Sequence, residues 1–195
     1  MKRLAVFASG EGSNFEAIAA ACASGRLAAR VVLVVCDKPG ARVCERAARY
    51  GVETFAFRPK EYPSKEAYET EIVRRLREAQ ADWICLAGYM RIVGPTLLAA
   101  CGGRMVNLHP SLLPAFKGAH AIEQAVDAGV SVFGATIHRV DETLDGGEIV
   151  AQQAFDCDLD PAMPRDERIA RVTERMHAVE HALYVDTLEK LLKTE

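Results

Sequence analysis

The chain has 195 residues, enough for one domain with a substantial core. Hydrophobic residues make up 50% and charged residues 26%, an ordinary globular composition, and no apolar run reaches membrane-spanning length. The net charge of −3 gives no general reason to expect nucleic-acid binding, which usually shows a basic footprint.

The N-terminus, MKRLAVFASGEGSN, begins like a signal sequence, but Gly-Glu-Gly ends its apolar run early. Residues 3–8 therefore read as a strand buried on both faces. SGEGSN, residues 9–14, leads into an alanine-rich helix pattern over 15–24. Strand, glycine turn and helix is the setting of a phosphate-binding loop. Gly10 and Gly12 can take positive φ and let backbone N–H groups approach an anion. Ser13 and Asn14 are N-cap types with side-chain donors. On the pattern alone, phosphate binding and a plain tight turn are equally good readings, since neither a Walker loop nor a full GxGxxG is present. Glu11 would repel a phosphate, so it is expected to point outward.

A β-branched strand follows over 31–36 and ends at the turn Asp37-Lys38-Pro39-Gly40. Residues 41–50 form a helix pattern with Val43, Ala47 and Ala48 on one face and Gly51 as its stop. A strand over 52–57 and a loop over 58–63 precede Ser64, the N-cap candidate of a helix reaching residue 80. WICLA, residues 83–87, is a short buried strand, followed by a loop over 88–95 and a short helix over 96–101.

MVNLHPSLLP, residues 105–114, is the centre of the chain. Asn107 and His109 stand at i, i+2, which puts both on one face of a strand. Pro110 stops the strand, so the pair leaves its carboxyl end side by side, at the edge where open α/β sheets bind ligands. An amide donor beside an imidazole suits chemistry at a carbonyl; a strand end with two satisfied polar groups is the plain alternative. A proline-bearing loop over 111–118, a helix over 119–128 and a strand over 130–140 that contains His138 come next. The polar loop 141–147 ends in Gly146-Gly147, the last strand covers 148–155, and a Pro- and Asp-rich connection leads to a long amphipathic helix over 166–192.

Four early strand–helix alternations predict an α/β fold: a Rossmann-like, mostly parallel sheet with helices on both faces and antiparallel strands added near the C-terminal half. Residues 1–195 are expected to form a single domain. Cys22, Cys36, Cys44, Cys85, Cys101 and Cys157 show no CxxC pair or zinc spacing, which reads as free thiols in a reducing cytoplasm with no structural metal. Asp145 precedes the double glycine, where the backbone can bend and bring a carboxylate over a neighbouring strand end. A carboxylate beside a histidine orients the ring and favours its protonated form. An ordinary turn aspartate fits that position equally well.

Taken together, VNLHPSLLP, the GxGSN loop after the first strand, GYMRI before the central strand and DETLDGGEI after it resemble the glycinamide ribonucleotide formyltransferases, within the folate-dependent formyltransferase superfamily. The resemblance covers nearly the whole chain with the motifs in order. It implies transfer of a formyl group from the co-substrate 10-formyltetrahydrofolate to the amine of glycinamide ribonucleotide in purine biosynthesis, in the cytoplasm and without a metal. It implies Asn107, His109 and Asp145 as the catalytic trio, and Gly12, Ser13 and Asn14 as the loop for the ribonucleotide phosphate. Glu180 would stand near the substrate amine. Lys65, Met90, Arg91, Ile92, Val93 and Asn107 would serve the folate, together with Asp141, Glu142, Thr143, Leu144 and Asp145. Residues 1–100 would then be the ribonucleotide phosphate-binding half and 101–195 the catalytic and folate-binding half. A homodimer stays open. Ala121 stands where relatives often have threonine, which puts a helix cap in doubt, and Val185 stands where they often have proline, which puts helix geometry in doubt.

Three rival readings differ in class or substrate. A methionyl-tRNA formyltransferase would need a further nucleic-acid-binding domain, and the chain ends at Glu195 with no basic extension. A formyltetrahydrofolate hydrolase would usually carry an added N-terminal domain, whereas the first strand here begins at Arg3. A non-catalytic nucleotide-binding module has no need of Asn107, His109 and Asp145 together.

Overall fold

The computed structural model describes residues 1–194, so Glu195, the last residue of the expected domain range, lies outside the described residues. Its frame is one seven-stranded sheet. Strands β1 (Lys2–Phe7), β2 (Ala29–Cys36), β3 (Glu53–Ala56), β4 (Trp83–Leu86) and β5 (Met105–His109) are parallel, and β6 (Val132–Arg139) and β7 (Ile149–Asp156) are antiparallel additions, in the order β3-β2-β1-β4-β5-β6-β7. The expected mixed sheet is therefore present. Helices α1 (Ser13–Ala23), α2 (Arg42–Arg49), α3 (Lys65–Glu78), α4 (Pro95–Cys101), α5 (Ala121–Asp127) and α6 (Arg165–Thr194) surround it.

The sheet separates two cores, because side chains alternate across it. Leu4, Val6, Val34, Trp83, Cys85, Val106 and Leu108 face one side, against α1, α2, α5 and α6. Ala5, Phe7, Leu33, Val35, Ile84, Leu86 and Met105 face the other, against α3 and α4. Helix α6 is tied to the sheet by Tyr184, whose buried hydroxyl donates to the Leu86 carbonyl at 2.9 Å. Val185 is buried inside this unbroken helix, so the residue type there leaves its geometry intact.

Local signals behave unevenly. Ser64 caps α3 as expected, its Oγ accepting from Ala67 N at 3.1 Å. Gly51 takes φ +66° at the end of α2. Val43 and Ala47 are buried beneath that helix, but Ala48 is exposed, because an eight-residue helix packs only a narrow stripe. At α1 the N-cap is Gly12, at φ +75°, and Ser13 and Asn14 fall inside the first turn. Gly10 is not among the positive-φ glycines. At α5 the cap is His120, which makes no side-chain cap bond, and Ala121 is the first helical residue.

The strand order reverses direction around β1: the chain moves outward to β2 and β3, then returns to β4 on the other side. Loops at the carboxyl ends of β1 and β4 therefore diverge, which opens the crevice typical of such sheets.

Candidate active site

Asn107 and His109 lie at the carboxyl end of β5, and their cross-strand partners on β6 are His138 and Thr136. Two polar residues at i, i+2 on one strand thus meet two on the next. Asn107 Nδ2 lies 3.1 Å from His138 Nε2, and His138 Nδ1 lies 2.8 Å from the Arg139 carbonyl. A carbonyl only accepts, so the proton sits on Nδ1 and Nε2 accepts from the Asn107 amide. Burial holds the His138 imidazole below its ordinary value of 6.5, against the Arg139 bond and the nearby Asp145 charge, which agrees with this neutral tautomer. One of the two Asn107 amide hydrogens is therefore spent on orientation, and the other is free for a ligand. His138 is the site residue that sequence reasoning missed. Its signal was a second polar i, i+2 pair in a buried strand, which becomes informative only with the β5–β6 register.

Asp145 reaches both imidazoles. Its Oδ2 lies 3.5 Å from His109 Nδ1, and its Oδ1 lies 3.7 Å from His138 Nε2. Its firm hydrogen bond is from Gly118 N, at 2.8 Å to Oδ2. The carboxylate thus clasps the loop after β5 to the loop before β7. The double glycine has a steric cause: a Cβ at Gly147 would lie 2.0 Å from the Arg139 carbonyl oxygen, and one at Gly146 would lie 2.3 Å from Thr143 Oγ1. His109 is 5% exposed, and its Nε2 donates to the Phe116 carbonyl at 2.8 Å. Both ring nitrogens therefore face acceptors, and a direct contact with a reacting oxygen requires the Phe116 bond to be exchanged. Phe116 (φ +53°) and Asp145 (φ +46°), the two contacts of this histidine, both hold left-handed backbone. Such strain persists where surrounding structure over-determines it, as at binding and catalytic loops.

The β1–α1 loop forms the second part of the site. Gly12 is required by packing, since a Cβ there would lie 2.6 Å from Val43 Cβ. Glu11 points outward, its side chain about half exposed and paired with Arg42 and Arg46. The helix N-terminus beside it leaves backbone N–H groups for an anion. Asn14 departs from the expectation of a phosphate-facing side chain. It is buried and its Nδ2 donates to Glu180 Oε2 at 3.1 Å, while its Oδ1 has no partner. Any share of Asn14 in holding a phosphate falls to its backbone N–H. Burial pushes the Glu180 carboxyl above the usual range, against the Asn14 bond and His177. A buried carboxylate with one hydrogen bond is suited to a cationic or hydrogen-bonding group arriving from solvent.

The third part is the loop 88–94 after β4. Met90 and Ile92 are each 70% exposed, and Leu144 on the loop 141–147 is 56% exposed. Large apolar side chains held in water around a polar centre mark a surface for a ring-bearing ligand. Lys65 stands at the start of α3 beside this loop, its Nζ 3.9 Å from Glu69 Oε1. Asp141 is turned onto its own loop, accepting from Thr143 N at 2.8 Å, and Glu142 is exposed. The six cysteines are free, and no group of three or more His, Cys, Asp or Glu able to hold a metal ion occurs among the described residues.

Comparison with known proteins bears on this arrangement. The chain is 47% identical over 192 residues to phosphoribosylglycinamide formyltransferase of Bacillus subtilis (strain 168), covering 98% of this chain and 95% of that protein. It is 57% identical to glycinamide ribonucleotide transformylase 1 from Geobacillus kaustophilus, with a TM-score of 0.92 and coverage of 98% and 99%. Against phosphoribosylglycinamide formyltransferase from Bacillus halodurans the identity is 52%, the TM-score 0.92 and the coverage 99% and 96%. The model of the formyl transferase family matches residues 2–188, so the strand end that carries Asn107 and His109 and the loop that carries Asp145 lie in a chain that belongs to that family.

Proposed function

We propose that the protein transfers the formyl group of 10-formyltetrahydrofolate to the amine of glycinamide ribonucleotide, giving formylglycinamide ribonucleotide and tetrahydrofolate in purine biosynthesis. The observation that carries this reading is the meeting of Asn107, His109 and Asp145 at one sheet edge, between a helix N-terminus and an exposed apolar loop. Full-length likeness to proteins named for this activity supports it.

The substrate amine is the nucleophile, so the protein need not supply one. Attack on the formyl carbon makes a tetrahedral oxyanion. The free Asn107 amide hydrogen serves that oxygen, with His109 as a second donor once it leaves Phe116. Asp145 holds His109 and assists transfer of a proton from the attacking nitrogen to the leaving folate nitrogen. Glu180, beside Asn14, receives the amine end of the ribonucleotide. Backbone N–H groups of Gly12, Ser13 and Asn14 hold its phosphate at the start of α1. The folate ring lies on Met90, Arg91, Ile92 and Val93, closed over by residues 141–145, with Lys65 near its tail. Placing two substrates in one crevice supplies an orientation gain that reaches roughly 7–11 kcal/mol in well-oriented systems.

In this reading residues 1–100 carry the phosphate-binding half and 101–195 the catalytic half, with three exceptions: Lys65 and the folate loop 90–93 belong to the first and Glu180 to the second. A cytoplasmic setting fits its small-molecule substrates. The test is direct. Mixing the protein with both substrates and following folate absorbance, with mass detection of the formylated ribonucleotide, is expected to show stoichiometric conversion. Folate hydrolysis without a formylated product would favour a hydrolase.

A further inference from the structure

Three buried acceptors that the proposed chemistry does not use all point at one exposed loop. Ser9, 3% exposed at the end of β1, accepts from Met90 N through its Oγ at 2.8 Å, and its own N–H donates to the Gly88 carbonyl at 2.9 Å. Asp37, 3% exposed at the end of β2, accepts from Arg91 Nε at 2.8 Å. Glu69, 2% exposed on α3, accepts from Gly94 N at 2.7 Å and from Leu97 N at 3.4 Å. Gly94 fits this arrangement because a Cβ there would lie 2.7 Å from the Glu69 carboxylate.

Burying two carboxylates is costly unless their bonds are needed. Here one Asp37 oxygen is spent on residue 91, Glu69 on residues 94 and 97, and Ser9 on residues 88 and 90, so positions 88, 90, 91 and 94 of the loop are pinned from three separate places in the chain. The Met90 and Ile92 side chains nonetheless stand out in water, where an unrestrained loop would fold them inward.

We propose that Ser9, Asp37 and Glu69 are positioning residues that hold the loop 88–94 in its folate-binding shape before any ligand arrives. The inference rests on the folate-dependent reading above. Ser9 belongs to the same β1–α1 loop that begins the ribonucleotide site, but its hydroxyl acts only on the folate side. The clamp therefore lowers the ordering cost of folate binding and leaves the ribonucleotide untouched.

The test is a split of kinetic constants. Ser9→Ala, Asp37→Ala and Glu69→Gln are compared with the wild type in formyl transfer from 10-formyltetrahydrofolate to glycinamide ribonucleotide. The folate KM is expected to rise roughly three- to tenfold in each, the scale of one lost hydrogen bond, with the ribonucleotide KM held within about twofold. Equal rises in both KM values, or neither rising, would overturn the proposal. A second readout needs neither turnover nor a variant. In ligand-free wild-type protein the Met90 and Gly94 amides are expected to exchange far more slowly than unstructured peptide amides. Exchange at the unstructured rate would overturn the clamp. Absence of formyl transfer would count against the function, with the clamp still decided by amide exchange.

Discussion

Asp145 stands in left-handed backbone, which aspartate tolerates in turns, and its carboxylate reaches two imidazoles. Asp145→Asn keeps the shape and the acceptor for Gly118 N but removes the charge. We expect a folded protein with stability within about 1 kcal/mol of wild type by thermal melting. We also expect kcat to fall roughly 10²–10⁴-fold, the range for lost acid–base help. Glu180 offers a pH test with a definite sign. Its folded value is raised above the ordinary 4.5 by burial, so the fold favours the neutral acid. That contribution is fully present below pH 4.5 and is lost as pH rises through the raised value. At neutral pH the carboxylate is therefore a liability. Glu180→Gln should melt higher than wild type near neutrality, the gap closing toward pH 4.5, while its ribonucleotide KM rises. A variant that melts lower at every pH would contradict this. Among single residues, Asn107, His109 and Asp145 were legible because short motifs carry them. His138 was not, because its role exists only in the register with Asn107, and neither was the burial of the Asn14 side chain, because its partner 166 positions away leaves no local trace.

At the scale of elements, the loop 141–147 is shaped by contact with the end of β6. A Cβ at Gly147 meets backbone, the Arg139 carbonyl, which cannot swing away as a side chain would. Gly147→Ala is expected to displace Asp145 and to reduce kcat at least as much as Asp145→Asn, with hydrogen exchange in β1 and β4 unchanged. Normal turnover in that variant would show that the loop tolerates a shift. Gly12 carries a similar restriction at Val43, so replacing it disturbs α1 against α2 before it reports on phosphate. Helix α6 depends on Tyr184: Tyr184→Phe should cost about 1–3 kcal/mol by denaturant unfolding, through a buried hydroxyl bond to the Leu86 carbonyl. Strand and helix order was readable throughout, because alternation and turn residues are local. Helix N-caps were readable only where side chains make them, as at Ser64; at Gly12 and His120 the backbone itself forms the end.

For the molecule as a whole, reversal of strand order around β1 sets two divergent loops beside the β5–β6 seam. One loop begins a helix, the other lifts Met90 and Ile92 into solvent, and the seam supplies Asn107, His109 and His138. The mixed sheet was predictable from chain order, whereas the joining of loops through Ser9 and Asp37 needed three dimensions. The central claim is that this seam accelerates formyl transfer after both substrates have bound. The decisive measurement is single-turnover formyl transfer by His109→Ala at saturating glycinamide ribonucleotide and 10-formyltetrahydrofolate, with the dissociation constant of each ligand measured separately. We predict a rate constant lower by roughly 10²–10³, the loss seen when one oxyanion donor is removed, with both ligands still binding near wild-type strength. A near-normal rate constant, or a loss explained wholly by weakened binding, would contradict the account.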